Sequence, residues 1–245
     1  MISDAQIEQA VERIASARHP VSFSGAGLSA ESGIATFRDE ADDNALWAKF
    51  DPVQLASKEG FTADPAMVTD WYNWRRKSVA EAAPNEAHLA LARLDGWTHI
   101  TQNVDNLLEK AGVQDTDVLH LHGSLLEDHC NAPCGYSEKI DMSKSAPLRR
   151  CDCGSYMRPS VVWFGESLPE EILNKAQQKA ETADLMLVVG TSAQVYPAAG
   201  LIRIALSNGA EVIVVNTESL GNNEPGVTEL LGPAGEVLPQ LFGQI

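Results

Sequence analysis

At 245 residues, 44% of them apolar, the chain suits one large domain, or one domain carrying an inserted module. The composition excludes a low-complexity or disordered chain, and no run approaches the roughly 18 to 20 apolar residues of a membrane span. A net charge of −16 argues against a nucleic-acid surface; it favours basic, lysine-bearing partners, or reflects only a solvated exterior.

The first residues read as a helix start and not as a signal peptide, so a cytoplasmic protein is expected, and a monomer. Ser3 and Gln6 have capping-box spacing, and Ile2 can staple onto Ile7. A short apolar run at 21–23 then reads as a buried strand, reaching to Ser24. It leads into SGAGLSAESGIATFRD, 24–39, with glycines at 25, 27 and 33 and hydroxyls at Ser24, Ser29 and Ser32. Glycines permit a tight turn and close approach to a ligand. Backbone N–H groups at a helix start suit a pyrophosphate, and Arg38 can pair with phosphate or order the loop. The spacing is not GxGxxG, so the usual dehydrogenase fingerprint is absent. A plain strand-to-helix turn is the alternative.

Positions 41–80 are helical in character and hold three of the five tryptophans, at 47, 71 and 74. Asn85 caps a helix predicted over 86–94. A strand at 98–101 precedes Gln102, Asn103 and Asp105, which offer amide groups and a carboxylate within one turn. That mixture suits an amide-bearing ligand and sugar hydroxyls. A capped start to the helix at 106–111, which stops at Gly112, explains it as well. The strand at 118–121 ends at His122 and Gly123. An imidazole there is placed for general acid–base work, with His120 as a supporting partner; a structural histidine is the alternative.

Segment 127–157 shows no clear helix or strand signal and contains every cysteine: Cys130, Cys134, Cys151 and Cys153, spaced C-x3-C-x16-C-x-C. Two thiolate pairs, each followed by a glycine (Gly135, Gly154), suit tetrahedral structural zinc. Disulfides fit a reducing compartment poorly, a C-x-C bridge is strained, and free buried cysteines rarely cluster. No His or carboxylate completes an open catalytic metal site with them.

A helix over 170–181 follows Pro169, and strands at 185–189 and 211–215 flank a helix at 198–207, with a weaker strand at 227–231. Gly190, Thr191 and Ser192 end one strand, and Asn216, Thr217 and Glu218 end another. Both turns suit phosphate or ribose contacts, although strand-end turns commonly carry such residues. Short unbroken apolar strands alternating with helices predict an α/β fold: a Rossmann-like, doubly wound parallel sheet with ligands at the strands' carboxyl ends. Residues 1–40, 81–126 and 158–245 are expected to form that domain. The helical insertion 41–80 and the zinc-binding module 127–157 are expected to form a smaller lobe.

Together the motifs resemble the sirtuins, the NAD-dependent protein lysine deacylases. The matching pieces are GAGLSAESGIATFRD (25–39), TQNVD (101–105), HG (122–123), the cysteine cluster, RPSVVWFGE (158–166), GTSAQVYPAA (190–199) and VNTE (215–218), in the family's order. The resemblance implies that NAD is consumed as co-substrate between the two lobes. Gly25, Ala26, Gly27, Thr36, Phe37 and Arg38 would line its phosphates and nicotinamide ribose. Gln102, Asn103 and Asp105 would handle the ribose and the nicotinamide amide, with Asn103 counted in the catalytic set. Gly190, Thr191, Ser192, Asn216, Thr217, Glu218 and Ala234 would meet the adenosine end. His122 matches the catalytic base. Val162, Phe164, Gly165 and Glu166, with the segment 194–196, match the edges that hold an acylated-lysine peptide as an added strand. The products implied are free lysine, nicotinamide and O-acyl-ADP-ribose. Ala35 replaces a proline that many relatives carry, and the C-x-C spacing is short for the family.

Within WYNWRR, 71–76, Tyr72 and Arg75 share a helix face and resemble the Tyr-x-x-Arg signature of class III sirtuins, which remove succinyl, malonyl and glutaryl groups. Arg76 and Lys77 beside them allow a second reading, a solvated basic patch. Two further functions are compatible with the same motifs: mono-ADP-ribosyl transfer, and a non-catalytic module that binds NAD or acyl-lysine.

Overall fold

A computed structural model describes residues 2–34, 51, 55–221 and 224–243. Helix α1 (Asp4–Ser16) begins on the expected capping box, Ser3 and Gln6 each accepting the other's backbone N–H. Strand β1 (Pro20–Ser24) passes through the glycine turn into the short α2 (Gly27–Ala30). Helices α3 (Lys58–Ala63) and α4 (Pro65–Glu81) form the described part of the helical insertion. Asp64 caps α4 by accepting the Met67 N–H, and Pro65 opens it, where a missing N–H costs nothing.

Next come α5 (Glu86–Leu91), β2 (Thr98–Thr101), α6 (Leu107–Ala111) and β3 (Val118–His120). Three strands follow: β4 (Gly123–Cys130), β5 (Ser137–Lys139) and β6 (Met157–Val161). The chain closes with α7 (Glu170–Thr182), β7 (Leu185–Val189), α8 (Gly200–Ser207), β8 (Glu211–Asn216), β9 (Val227–Leu231) and α9 (Ala234–Phe242).

Six strands pair in parallel in the order β3-β2-β1-β7-β8-β9. The chain leaves β1 first to one side, for β2 and β3, and later to the other, for β7. That reversal opens a crevice at the carboxyl end of β1. Helices cover both faces, so every residue of β7 is buried. One core packs Leu91, Leu187, Ile213 and Leu238; the opposite core packs Phe23, Ile100, Met186 and Val214. This is the doubly wound sheet expected from the apolar runs. No helix among the described residues is long and apolar enough to cross a membrane.

The segment 127–157, which lacks a strand signal, nevertheless contributes β5 and part of β4 to a small sheet. β5, β4 and β6 pair antiparallel in that order. A register shift between Ser124 and Asp128 disturbs the alternation of β4, β5 has three residues, and β6 contains Pro159. Helix α9 is also absent from the sequence expectation, which gives no helix after 231.

A third core joins the helical insertion to this small sheet through Phe61, Trp71, Tyr72, Leu125 and Trp163. Two residues of α4 fasten it there. Asn73 exchanges hydrogen bonds with the Ala146 backbone, at 2.8 and 3.1 Å. Arg76, 2% exposed, donates to the Leu125 carbonyl at 2.9 Å and pairs with Asp128 at 2.5 Å. Asp128 also accepts from Arg149 at 2.8 Å, and Arg149 pairs with Glu138. Lys77 is solvated, but Arg76 is not, so the basic-patch reading holds for Lys77 alone. Breaking one side of such a buried pair costs about 3–5 kcal/mol.

Candidate active site

Polar groups at the ends of β1, β2, β7 and β8 bind one another across the crevice. The Gly25 N–H donates to the Val189 carbonyl at 3.0 Å, and the Gly27 N–H to that of Gly190 at 2.8 Å. Gly190 has φ +58°, and a Cβ there would lie 2.4 Å from the Leu28 nitrogen. Only glycine fits. The result is a bare-backbone turn at a helix start, which suits a pyrophosphate. Gln102 Nε2 donates to Thr191 Oγ1 at 3.2 Å, and Asn216 Nδ2 to the Thr191 carbonyl at 3.3 Å. The Gly232 N–H reaches the Asn216 carbonyl, bringing Ala234 to the same end; Glu31 then accepts the Gly235 N–H at 2.7 Å.

Gly25, Gly27, Gln102, Gly190, Thr191 and Asn216 thus converge, while Thr217 and Glu218 continue outward as exposed residues. Ala26 and Ser192 are half-buried in the same turns. Thr36, Phe37 and Arg38, with Ala35, lie outside the described residues.

Ser29 is the centre of a second network. Its hydroxyl donates to Asp105 Oδ2 at 3.0 Å and accepts from Asn103 Nδ2 at 3.1 Å. His88 Nε2 lies 3.4 Å from the same oxygen, while its Nδ1 accepts the Asn85 N–H at 3.3 Å. Burial pushes His88 down to about 4, against a weaker pull from Glu109. The ring is therefore neutral with its proton on Nε2, facing Ser29. Burial also raises Asp105, although the Leu107 N–H and Ser29 oppose it. The sequence marks Ser29 only as one hydroxyl among three, and nothing there singles out His88.

His122 follows β3, and its Nδ1 lies 3.0 Å from the Gln102 carbonyl. A carbonyl can only accept, so Nδ1 carries the proton and Nε2 keeps its lone pair. Burial lowers the pKa below the ordinary histidine value, and the Gln102 contact offsets this in part. His122 is thus a neutral imidazole held in one orientation. His120 differs. Its Nδ1 contacts the Asn103 carbonyl at 2.9 Å and its Nε2 contacts Glu109 at 2.7 Å. Burial would lower this ring, but Glu109 outweighs it and the pKa is raised. His120 is thus a brace for the Asn103 turn, and its partners are Asn103 and Glu109, not His122.

The 162–166 segment adjoins His122, since the Val162 N–H donates to the His122 carbonyl at 2.9 Å. The Phe164 N–H reaches the Ala56 carbonyl, and Gly165 turns with φ +83°. Glu166 accepts the Trp163 N–H at 2.9 Å and pairs with Arg158 at 2.7 Å. Phe164 is exposed, as are Val195 and Tyr196 on the segment 194–196. Behind this edge, Trp163 Nε1 donates to the Tyr72 hydroxyl at 2.9 Å. The Arg75 guanidinium lies 5.7 Å from the Tyr72 ring centre and 5.0 Å from that of Trp71. Burial raises Tyr72, with Arg75 opposing, and burial lowers Arg75, with Tyr72 and Asp105 opposing. The pair does share one helix face, as the spacing implies.

The four cysteine sulfurs lie within 4.8 Å of one another. Cys130 and Cys153 are 3.4 Å apart, and Cys134 and Cys151 are 3.7 Å apart. Tetrahedral thiolates at a Zn–S length of about 2.3 Å stand about 3.8 Å apart, so the cluster fits structural zinc. Gly135 (φ +76°) and Gly154 (φ +88°) turn the chain after each pair. The C-x-C spacing does not prevent the convergence.

Comparison with known proteins agrees with this geometry. The Sir2 family pattern matches residues 25–197. The chain is 47% identical over 245 residues to "NAD-dependent protein deacylase 1" of Pseudomonas aeruginosa, covering 95% of this chain and 96% of the relative. A crystal structure of a Sir2 homologue–NAD complex is 43% identical, with a TM-score of 0.88 over 97% of this chain and 93% of that one. A complex described as Sir2–p53 peptide–NAD+ is 28% identical, with a TM-score of 0.82 over 97% and 98%.

Proposed function

The chain belongs to the Sir2 family of NAD-dependent protein deacylases, and from that premise we propose that it removes acidic acyl groups from lysine, succinyl, malonyl and glutaryl, in preference to acetyl, which it also removes. One observation carries the preference: a phenol and a guanidinium occupy one face of α4, and Tyr72 is joined to Trp163, one residue from the Val162 that bonds the His122 backbone. A guanidinium takes both oxygens of a carboxylate, and the phenol can donate a further hydrogen bond.

NAD fits the crevice as substrate because the Gly25, Gly27 and Gly190 turn presents backbone where any Cβ would collide. Gln102, Thr191 and Asn216 flank that turn. Asn103 and Asp105, held by Ser29, orient the nicotinamide end. The acyl-lysine enters as an extended strand between 162–166 and 194–196, which aims its amide oxygen at the ribose carbon that loses nicotinamide. His122 takes a ribose hydroxyl proton at Nε2, because its other nitrogen is committed to Gln102. Water completes the release of lysine and O-acyl-ADP-ribose. The cysteine cluster supplies no step; zinc there would hold β4 against the β6 side of the small lobe. We take that lobe to be the helical insertion 41–80 with the module 127–157, in a monomeric cytoplasmic protein that uses neither nucleic acid nor membrane.

The test is turnover of matched succinyl- and acetyl-lysine peptides with NAD, followed by mass spectrometry. Faster desuccinylation with O-succinyl-ADP-ribose as co-product supports the reading. Faster deacetylation removes the acidic preference, and ADP-ribosylated protein without deacylation replaces the reaction class.

A further inference from the structure

Beside the 162–166 segment, on the small-sheet side, lies an open depression of about 550 Å³. Among the residues lining it are Lys58, His129, Arg158, Ser160, Gly165 and Glu166. Strand pairing explains why they meet. His129 on β4 is directly opposite Arg158 on β6, so both side chains leave the sheet on one face, with Ser160 two positions along. His129 Nδ1 lies 3.1 Å from Ser160 Oγ.

The charges there do not cancel. Glu166 Oε1 serves two cations, Arg158 at 2.7 Å and Lys58 at 3.6 Å. Its other oxygen is occupied by the Trp163 N–H. One carboxylate against an ammonium and a guanidinium leaves net positive charge, in a chain whose total is −16. Arg158 is 7% exposed and stacks 3.8 Å from the Trp163 ring centre. Its Nε is buried without a hydrogen-bond partner among the described residues. A buried cation with an unused donor is costly unless something supplies an acceptor.

We propose that this depression is a substrate subsite that receives an Asp or Glu side chain within two residues of the acyl-lysine. The inference rests on the deacylase reading, which lays the substrate along 162–166, the same segment that rims the depression. An extended chain advances about 3.3 Å per residue, so a side chain two positions away lies about 7 Å along, within reach of that rim. The protein would then select acylated lysines in acidic sequence, against the repulsion of its own net charge.

The experiment uses the full chain and acyl-lysine peptides with neutral flanks, compared with peptides in which a single Glu is walked through the two residues on either side. The expected result is a gain of about tenfold in kcat/KM at one position, carried by KM, as a charge-assisted hydrogen bond provides. Lys58→Glu, at an exposed position, should abolish that gain while neutral peptides keep their kinetics. His129→Leu is the second variant and should reduce the gain. Equal kcat/KM for every peptide overturns the subsite, as does a Glu preference that survives both variants. Inhibition of all peptides alike by inorganic phosphate, without a Glu preference, would also overturn it and leave a site for free anions. Absence of turnover with any peptide would instead sink the deacylase reading, and the subsite with it.

Discussion

Trp163 Nε1–H donates to the Tyr72 hydroxyl oxygen at 2.9 Å, and this one contact fixes which way the phenol can serve a ligand. With a lone pair engaged by the indole, the Tyr72 O–H remains a donor, beside the Arg75 guanidinium. Arg75→Met should therefore lower kcat/KM for succinyl-lysine peptides by about 10- to 100-fold, the worth of a charge-assisted hydrogen bond. Deacetylation should change only a few-fold. Parallel assays on the two peptides check this, and equal losses would remove Arg75 from acyl recognition.

In the proposed mechanism His122 sets the acid limb of the rate profile. A base acts when unprotonated, and burial has lowered this pKa, so the base form persists to lower pH than for an ordinary histidine. The limb of kcat/KM assigned to free enzyme should fall below pH 6.5, with a plateau above it. His122→Ala should cost about 10²- to 10⁴-fold and abolish that limb. A limb centred well above 6.5 would contradict the assignment.

Two other buried rings couple folding to pH. His88 and His99 are each pushed down to about 4 by burial. His99 lies on β2 with Nδ1 2.8 Å from Ser22 Oγ. Below pH 6.5 the unfolded chain takes up protons that the native rings refuse, so stability is full above that value and declines toward pH 4. Each ring contributes about 3 kcal/mol to the decline. Urea unfolding at a series of pH values should show it, and His99→Asn should flatten the slope.

Metal analysis should find one zinc ion per chain, bound by the four thiolates. Cys153→Ser, or a strong chelator, should remove it and lower Tm. Near-ultraviolet dichroism from the Trp163 and Tyr72 cluster should weaken with it. Full stability in metal-free protein would leave the cluster without that role.

Much of the large sheet was legible because strands covered on both faces need no alternation. The run at 185–189 is apolar throughout, that at 211–215 is apolar after Glu211, and 21–24 sets Val21 and Phe23 beside two small buried serines; each is a strand. β4 hid for the opposite reason. It interleaves Glu127, Asp128 and His129 with buried Leu125 and Cys130 and shifts register midway. The turns at the crevice were readable from residue type only in combination, since glycines and amides at a single strand end serve ordinary turns and helix caps as well. The support behind them was not. Ser29, His88 and Glu109 act through contacts 11 to 76 positions apart, which local spacing does not reveal. Arg76 deceived for a related reason. Its partner Asp128 stands 52 positions away, so a buried tie looked like a charged surface.

Along α4 the two jobs alternate by residue. Asn73 and Arg76 moor the rod to its neighbours, while Tyr72 and Arg75 carry no share of that mooring through Ala146 or Asp128. Tyr72 is nevertheless fully buried in the core that joins this helix to the small sheet and satisfies the Trp163 indole N–H, so a small apolar residue in its place would open a cavity and orphan that donor: at this position a change of proposed acyl preference is also a change of stability.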